Sequence, residues 1–153
     1  VRSVSAAVAS VDPQWSTYVA TIRVQRKERD EIVNALDDMI AELIEEFRKV
    51  NNAQPANIIV FRDGVSEGMF DIVRRTEIPL IQAGINKCGK PTKLTVIITQ
   101  KRHNTRFALA TINETGRRPT FNVPSGTVVD NTIVSPQWKM FFLNSHFSPL
   151  VSD

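Results

Sequence analysis

The sequence predicts an α/β fold, a mixed sheet with flanking helices, and three stretches carry that prediction. Residues 58–61, Ile58-Ile59-Val60-Phe61, are consecutive apolar residues rich in β-branching, the pattern of a strand buried on both faces. Residues 94–99, Leu94-Thr95-Val96-Ile97-Ile98-Thr99, repeat that signature. Ahead of both, residues 28–50 change to a helical period, with Ile32, Leu36, Met39, Leu43 and Phe47 spaced three or four apart and Ile40 and Ile44 widening the stripe. A chain of 153 residues is one domain by length, and 42% hydrophobic with 23% charged is enough to build a core.

In chain order, Val4, Ala6, Val8 and Val11 alternate with small residues, and residues 18–25 alternate again after Asp12-Pro13-Gln14-Trp15-Ser16. Two strands and a connecting loop follow, most simply an antiparallel hairpin. Arg23 and Gln25 share one face, which is expected to be wet or to meet something polar. The long amphipathic helix is expected from Glu28, with Glu28, Asp30 and Glu31 in its first turn, where carboxylates gain about 0.3–1 kcal/mol from the helix dipole. Asn51-Asn52-Ala53-Gln54-Pro55 ends it.

The central strand closes on Asp63-Gly64, and Ser66 is a candidate N-cap for a helix with Glu67 in its first turn. Asp63 thus stands at the carboxyl end of a strand, where open α/β sheets collect functional groups. It can equally be the start of a turn, since Asp-Gly is common punctuation. Pro79 removes a backbone donor and predicts a helix break near residues 77–78, with a second segment to Asn86. Gly89-Lys90-Pro91 is a turn. After the 94–99 strand comes the densest basic segment, Gln100-Lys101-Arg102-His103-Asn104-Thr105-Arg106, which reads equally as a solvated loop or as a phosphate-binding one. Residues 116–126 read as loop, and residues 127–130 and 140–143 as two further strands.

Several functional classes are excluded. Nineteen Lys and Arg against sixteen Asp and Glu leave a net charge of +3, which permits a polyanion partner without requiring one. A single cysteine, Cys88, forms no internal disulfide or thiolate cluster, reads as a helix-end thiol and points to a reducing compartment. No apolar run reaches the roughly 18–20 residues of a membrane-spanning helix, and the chain reads as soluble and intracellular. A phosphate-binding glycine loop and a Gly-x-Ser-x-Gly turn are both missing, and His103 and His146 lack cysteine partners at zinc spacing.

Four stretches are more specific. Phe61-Arg62-Asp63-Gly64-Val65-Ser66-Glu67-Gly68 with Phe70, then residues 100–106, then Val123-Pro124-Ser125-Gly126-Thr127-Val128-Val129-Asp130, then Asn144-Ser145-His146, closely resemble the successive motifs of the Piwi domain of eukaryotic Argonaute proteins. Residues 20–25 and the helix behind them match as well. The resemblance implies a ribonuclease H-like mixed sheet. It also implies a guide RNA with its paired target RNA as partners, and small-RNA-guided gene silencing as the function. In slicing members two Mg2+ ions, held by an Asp, a Glu carried on a loop, a second Asp and a final Asp or His, cut the target.

On that resemblance Asp63 matches the second Asp and Glu31 the mobile Glu, both as catalytic and metal-binding residues. The Glu31 segment is one residue longer than the pattern, so Asp30 and Glu28 stay open for that role. Lys101, Arg102 and His146 match contacts to the guide backbone, with Arg106 as a weaker candidate. The other two ligands are expected outside residues 1–153, which makes this a partial Piwi domain, truncated at both ends, without the first catalytic strand and the C-terminal helices. The fragment alone is then no enzyme, and the intact parent is either an Mg2+-dependent RNA endonuclease or a slicing-inactive platform recruiting silencing partners. The remaining domains of the parent are expected partners, and the cytoplasm, or else the nucleus, the expected location. Two departures stand out: a short connection before the Gln100 strand, and Gln137-Trp138-Lys139 in place of a more acidic segment.

Overall fold

The computed structural model describes residues 2–25, 32–113 and 120–147, with side chains left undescribed at 110–113, 120 and 121. Two compact units divide the chain, Val1–Arg102 and His103–Asp153.

In the first unit, β1 (Val4–Ser10) and β2 (Tyr18–Val24) pair antiparallel with Val4 opposite Val24 and Ser10 opposite Tyr18, the expected hairpin. Its turn is organised by Asp12, whose carboxylate accepts from the Ser16 and Thr17 amides at 3.0 and 2.7 Å and from the Ser16 hydroxyl at 2.7 Å. Helix α1 (Leu36–Asn51) follows and ends at Asn52, which takes the left-handed conformation that asparagine tolerates, its amide returning to the Arg48 carbonyl at 2.8 Å. Strand β3 (Asn57–Asp63), helix α2 (Phe70–Lys87) and strand β4 (Lys93–Thr99) form a strand–helix–strand unit, with β3 and β4 parallel and Ile58 opposite Leu94. Parallel neighbours need a long crossover, and α2 supplies it.

The core lies between the helices and one face of the parallel pair. Ile40 and Ile44 of α1 meet Ile81 and Ile85 of α2 and Cys88 at its end, and Ile58, Val60, Leu94 and Val96 pack against them from the strands. Cys88 caps α2 as a buried thiol whose pKa is raised by desolvation, consistent with a structural helix-end cysteine.

Several expectations are corrected. Strand β3 is not buried on both faces: Ile58 and Val60 face the core, whereas Ile59 and Phe61 are 55% and 68% exposed. The apolar run conceals an alternation because the second face is apolar too. The face that carries Arg23 and, just past β2, Gln25 turns inward and, of the two alternatives expected, meets polar groups: Thr21 and Gln25 are buried, and Thr21 and Arg23 both donate to Glu42 of α1, at 2.7 and 2.6 Å. Helix α1 starts at Leu36, not at Glu28; residues 26–31 lie outside the described residues, and Ile32 to Ala35 are non-helical. Side chains hold that approach open: Gln25 donates to the Ile32 carbonyl at 3.1 Å, and Glu77 accepts from the Val33 amide at 2.9 Å.

Pro79 does not break α2, which runs on to Lys87. Pro79 and Arg75, the residue one turn earlier whose carbonyl loses its partner, are both exposed, so water can satisfy that group while Val73, Glu77, Ile81 and Ile85 hold the buried side. Ser66 precedes a single 3-10 turn (Glu67–Met69) and makes no side-chain cap; its carbonyl accepts from the Met69 amide instead.

The second unit contains β5 (Ala108–Asn113) antiparallel to β6 (Thr120–Asn122), and β7 (Thr127–Val129) antiparallel to β8 (Phe142–Asn144). The last pair matches expectation, although β8 begins two residues later than the 140–143 reading. The first pair is additional to it, and part of the segment read as loop is β6. Among the described residues the strands associate as four two-stranded sheets rather than as one mixed central sheet.

At Gly84 the backbones of the two helices approach each other tightly. A Cβ built there would stand 2.5 Å from the Asp37 carbonyl oxygen and 2.9 Å from Cβ of Ile40. Gly84→Ala would gain about 1 kcal/mol of helix propensity. A backbone carbonyl cannot move aside as a flexible side chain does, so overpacking of about 1–3 kcal/mol prevails. Chemical denaturation should show a net loss of stability, and a higher midpoint would show that the helices separate freely.

Candidate functional site

At the carboxyl ends of β3 and β4 lies a cleft of about 510 Å³, lined by Asp63, Gly64, Ser66, Thr99, Lys101 and Arg102 among others. The parallel register makes this convergence automatic: Asp63 stands opposite Thr99, so residues just past Thr99 emerge beside Asp63. Gly64 turns the chain away at φ +78, a conformation that favours glycine, and its amide donates to Asp63 Oδ1 at 2.8 Å.

The second oxygen of Asp63 accepts from Lys101 Nζ at 2.6 Å. This hydrogen bond holds the Asp63 carboxyl below the usual carboxylate range, with the Gly64 amide and the nearby charges of Lys101 and Arg62 adding to it. The pair is exposed, at 54% for Asp63 and 77% for Lys101, so solvent screens it strongly.

Behind the cleft is a buried ion pair that sequence reasoning did not find. Glu77 of α2 is 1% exposed, and its carboxylate accepts from Arg62 Nε at 2.8 Å on one oxygen and from the other guanidinium arm at 2.9 Å on the second. A glutamate at a helical position whose neighbours one turn away are Val73 and Ile81 was the available signal, because a carboxylate inside an apolar stripe demands a partner.

In the second unit, a separate pocket of about 220 Å³ is lined by His103, Arg106, Phe107, Asn122, Phe142 and Asn144, among others. Here Arg106 donates to the carbonyls of His103 and Thr105 at 2.7 and 2.8 Å. The His103 ring meets Phe142 edge-on, and its buried Nδ1 has no hydrogen-bond partner among the described residues. His146 is exposed outside that pocket, with its Nδ1 3.0 Å from the Ser145 hydroxyl.

Of the candidate residues, then, Asp63, Lys101 and Arg102 share one cleft. Arg106 and His146 both belong to the second unit, where Arg106 lines the pocket and His146 does not. Glu31, Asp30 and Glu28 lie outside the described residues. Among the described residues no group of three or more His, Cys, Asp and Glu is gathered for a metal. Asp63 by itself offers the oxygen chemistry that Mg2+ prefers, but one carboxylate does not make a site.

Comparison with known proteins gives a consistent result. The family model described as Piwi domain matches residues 1–149. Protein argonaute 2 of Oryza sativa subsp. japonica is 42% identical over 144 residues, 94% of this chain and 14% of that protein. Protein argonaute 3 of the same plant is 42% identical over 146 residues, covering 95% of this chain and 13% of its own length. The chain therefore spans a small part of these relatives. Among solved structures, Kluyveromyces polysporus Argonaute with a guide RNA matches at a TM-score of 0.81 and 29% identity, over 96% of this chain and 18% of that one. The C-terminal lobe of a budding yeast Argonaute matches at 0.76 and 29% identity, over 88% of this chain and 29% of that one.

The Asp63–Lys101 contact can be tested directly. Because the folded pKa is lowered, any stability the contact gives is present above the unfolded pKa and is lost as pH falls through the folded value. Lys101→Ala should move the Asp63 titration, read by carboxyl-carbon NMR, up toward the ordinary range. An unmoved titration would assign the shift to the Gly64 turn instead.

Proposed function

We propose, because the chain belongs to the Piwi domain family, that it forms part of a protein that holds a small guide RNA and its paired target in RNA-guided gene silencing, and that the intact protein cuts the target. The observation that carries this reading is a family match running from residue 1 to residue 149, with Asp63, Lys101 and Arg102 of the matching motifs lining one cleft. The finer architecture that goes with it is a ribonuclease H-like domain of which this chain supplies one part.

The roles follow from chemistry. Lys101 and Arg102 sit on a loop just past a strand end, and cations so placed neutralise phosphates and release counterions without reading bases. Arg106 and His146 are proposed as further backbone contacts. Asp63 is proposed as a catalytic carboxylate because it is an anchored, exposed anion at a strand end, and Glu31 as the second. Bound Mg2+ would stabilise the attacking and leaving oxygens of a phosphodiester cut. The described residues do not assemble a site for it, so it is proposed for the intact protein, with Asp63 giving one ligand. The cytoplasm, or the nucleus, is the proposed location.

In the intact protein, Lys101→Ala with Arg102→Ala should weaken guide binding for all guide sequences alike and flatten its salt dependence, by up to about one unit of slope for each phosphate no longer neutralised. Filter binding across salt concentrations reads both, and weakening confined to particular sequences would make the interaction base-specific. Asp63→Ala should abolish cutting while leaving guide binding largely intact. An intact wild-type protein that binds guide and target but never cuts would replace the slicing reading with that of a platform recruiting silencing partners.

A further inference from the structure

We infer that Glu77 is a positioning residue for the site at the end of β3, its buried carboxylate clamping the strand end that carries Asp63 to the stretch that follows the candidate Glu31. Three separate parts of the chain meet on this one group. Glu77 itself comes from the second turn of α2. Arg62, directly before Asp63, donates to both carboxylate oxygens, at 2.8 and 2.9 Å. The Val33 amide, two residues beyond Glu31 in sequence, donates to Oε1 at 2.9 Å.

The geometry singles out a carboxylate. Oε1 accepts two donors and Oε2 a third, which uses the planar fork of the guanidinium and the spare lone pair together. At 1% exposure water does not compete for these positions, so removing Arg62 would leave Oε2 without its donor and the buried charge without its partner. Arg62 is itself only 18% exposed at its side chain and also donates to the Asp63 carbonyl at 2.5 Å, so the clamp reaches the backbone of the candidate catalytic residue. Gln25 adds to the hold on the same stretch, donating to the Ile32 carbonyl at 3.1 Å and accepting from the Asn34 amide at 3.3 Å. The consequence is mechanical coupling. A displacement of residues 32–34 has to break or drag a buried ion pair that is anchored beside Asp63.

The inference rests on the slicing reading for its effect on cutting, but not for the clamp itself, and the test separates the two. In the full-length, guide-loaded protein, Glu77→Gln keeps the shape but replaces one acceptor oxygen by an NH2 group, which must then face a donor of Arg62 or Val33. Hydrogen exchange should quicken at least tenfold at the Val33 amide and rise in the peptide holding Arg62 and Asp63, while amides in the middle of α1 keep their protection. Target cleavage should fall by about 10- to 100-fold in kcat, the range seen when groups that orient active-site ligands are removed, with little change in KM. Arg62→Lys, which keeps the charge but loses the fork, should give the same local pattern more weakly, and it serves as the second variant if Glu77→Gln does not fold. Unchanged exchange at Val33, or exchange raised evenly through both helices, would overturn the clamp. Unchanged cleavage with a loosened Val33 would overturn its role in positioning. A wild-type protein that does not cut would remove the slicing reading, and local exchange would then decide the clamp alone.

Discussion

The buried pairing of Glu77 with Arg62 is the constraint around which the first unit is arranged. Taking a carboxylate to 1% exposure carries a desolvation penalty of several kcal/mol, which is offset only when geometry is good and the remaining lone pairs are filled. Here the guanidinium fork supplies the geometry and the Val33 amide fills the spare position. Such a pair adds little net stability over an apolar substitute, but it tolerates few alternatives. It fixes the rotation of α2 about its axis, because Glu77 must face the end of β3. It also fixes where α1 can start, because Val33 is held outside a helical conformation.

The apolar core sets the rest. With Ile40, Ile44, Ile81 and Ile85 packed between the helices and Ile58, Val60, Leu94 and Val96 against them, the two parallel strands end at the same level. Asp63 and Lys101 are brought together by that register rather than by any long-range search. A one-residue slip would turn Ile58 and Val60 outward and expose Ile59 and Phe61 to the helices, exchanging the two faces of β3. Because both faces are apolar, hydrophobicity alone opposes such a slip weakly. The Arg62 side chain, which must reach Glu77, opposes it much more strongly.

What the sequence made legible follows from this division. The helical period read over residues 28–50, realised only over 36–51, the β-branched runs of β3 and β4 and the hairpin are local patterns, and each has its element. Which side of a strand faces inward is not local. Arg23 and Gln25 read as a face either wet or met by something polar, and only the fold decides for the second, with Glu42 and the chain near Ile32 satisfying them from inside. Pro79 has the look of a break, yet the exposed side of α2 tolerates the missing bond. Residues 108–113, Ala108-Leu109-Ala110-Thr111-Ile112-Asn113, show little alternation to announce a strand, and the charge cluster next to them is the louder signal. For the site, Asp63 and the basic segment stand out by strand-end position and charge. The Glu77 clamp does not, because a single acid in an apolar stripe declares that it has a partner without saying which.

Lys101 stands where two expectations meet, and energetics arbitrates between them. The residue is proposed as a phosphate contact, yet its ammonium rests 2.6 Å from Asp63. An exposed pair of this kind contributes only about 0–1 kcal/mol, so transferring Lys101 to a phosphate has a small cost. The buried pair beside it is the opposite case, since separating Arg62 from Glu77 would strand a charge out of reach of water. The cleft therefore combines a rigid wall with a movable cation. The carboxylate of Asp63 is tied to the end of β3 and to the Gly64 amide, whereas its contact with Lys101 is exposed and readily exchanged. If a phosphate drew Lys101 away, the Asp63 carboxylate would keep its charge but lose its nearest counter-charge, and its pKa would rise toward the ordinary carboxylate range.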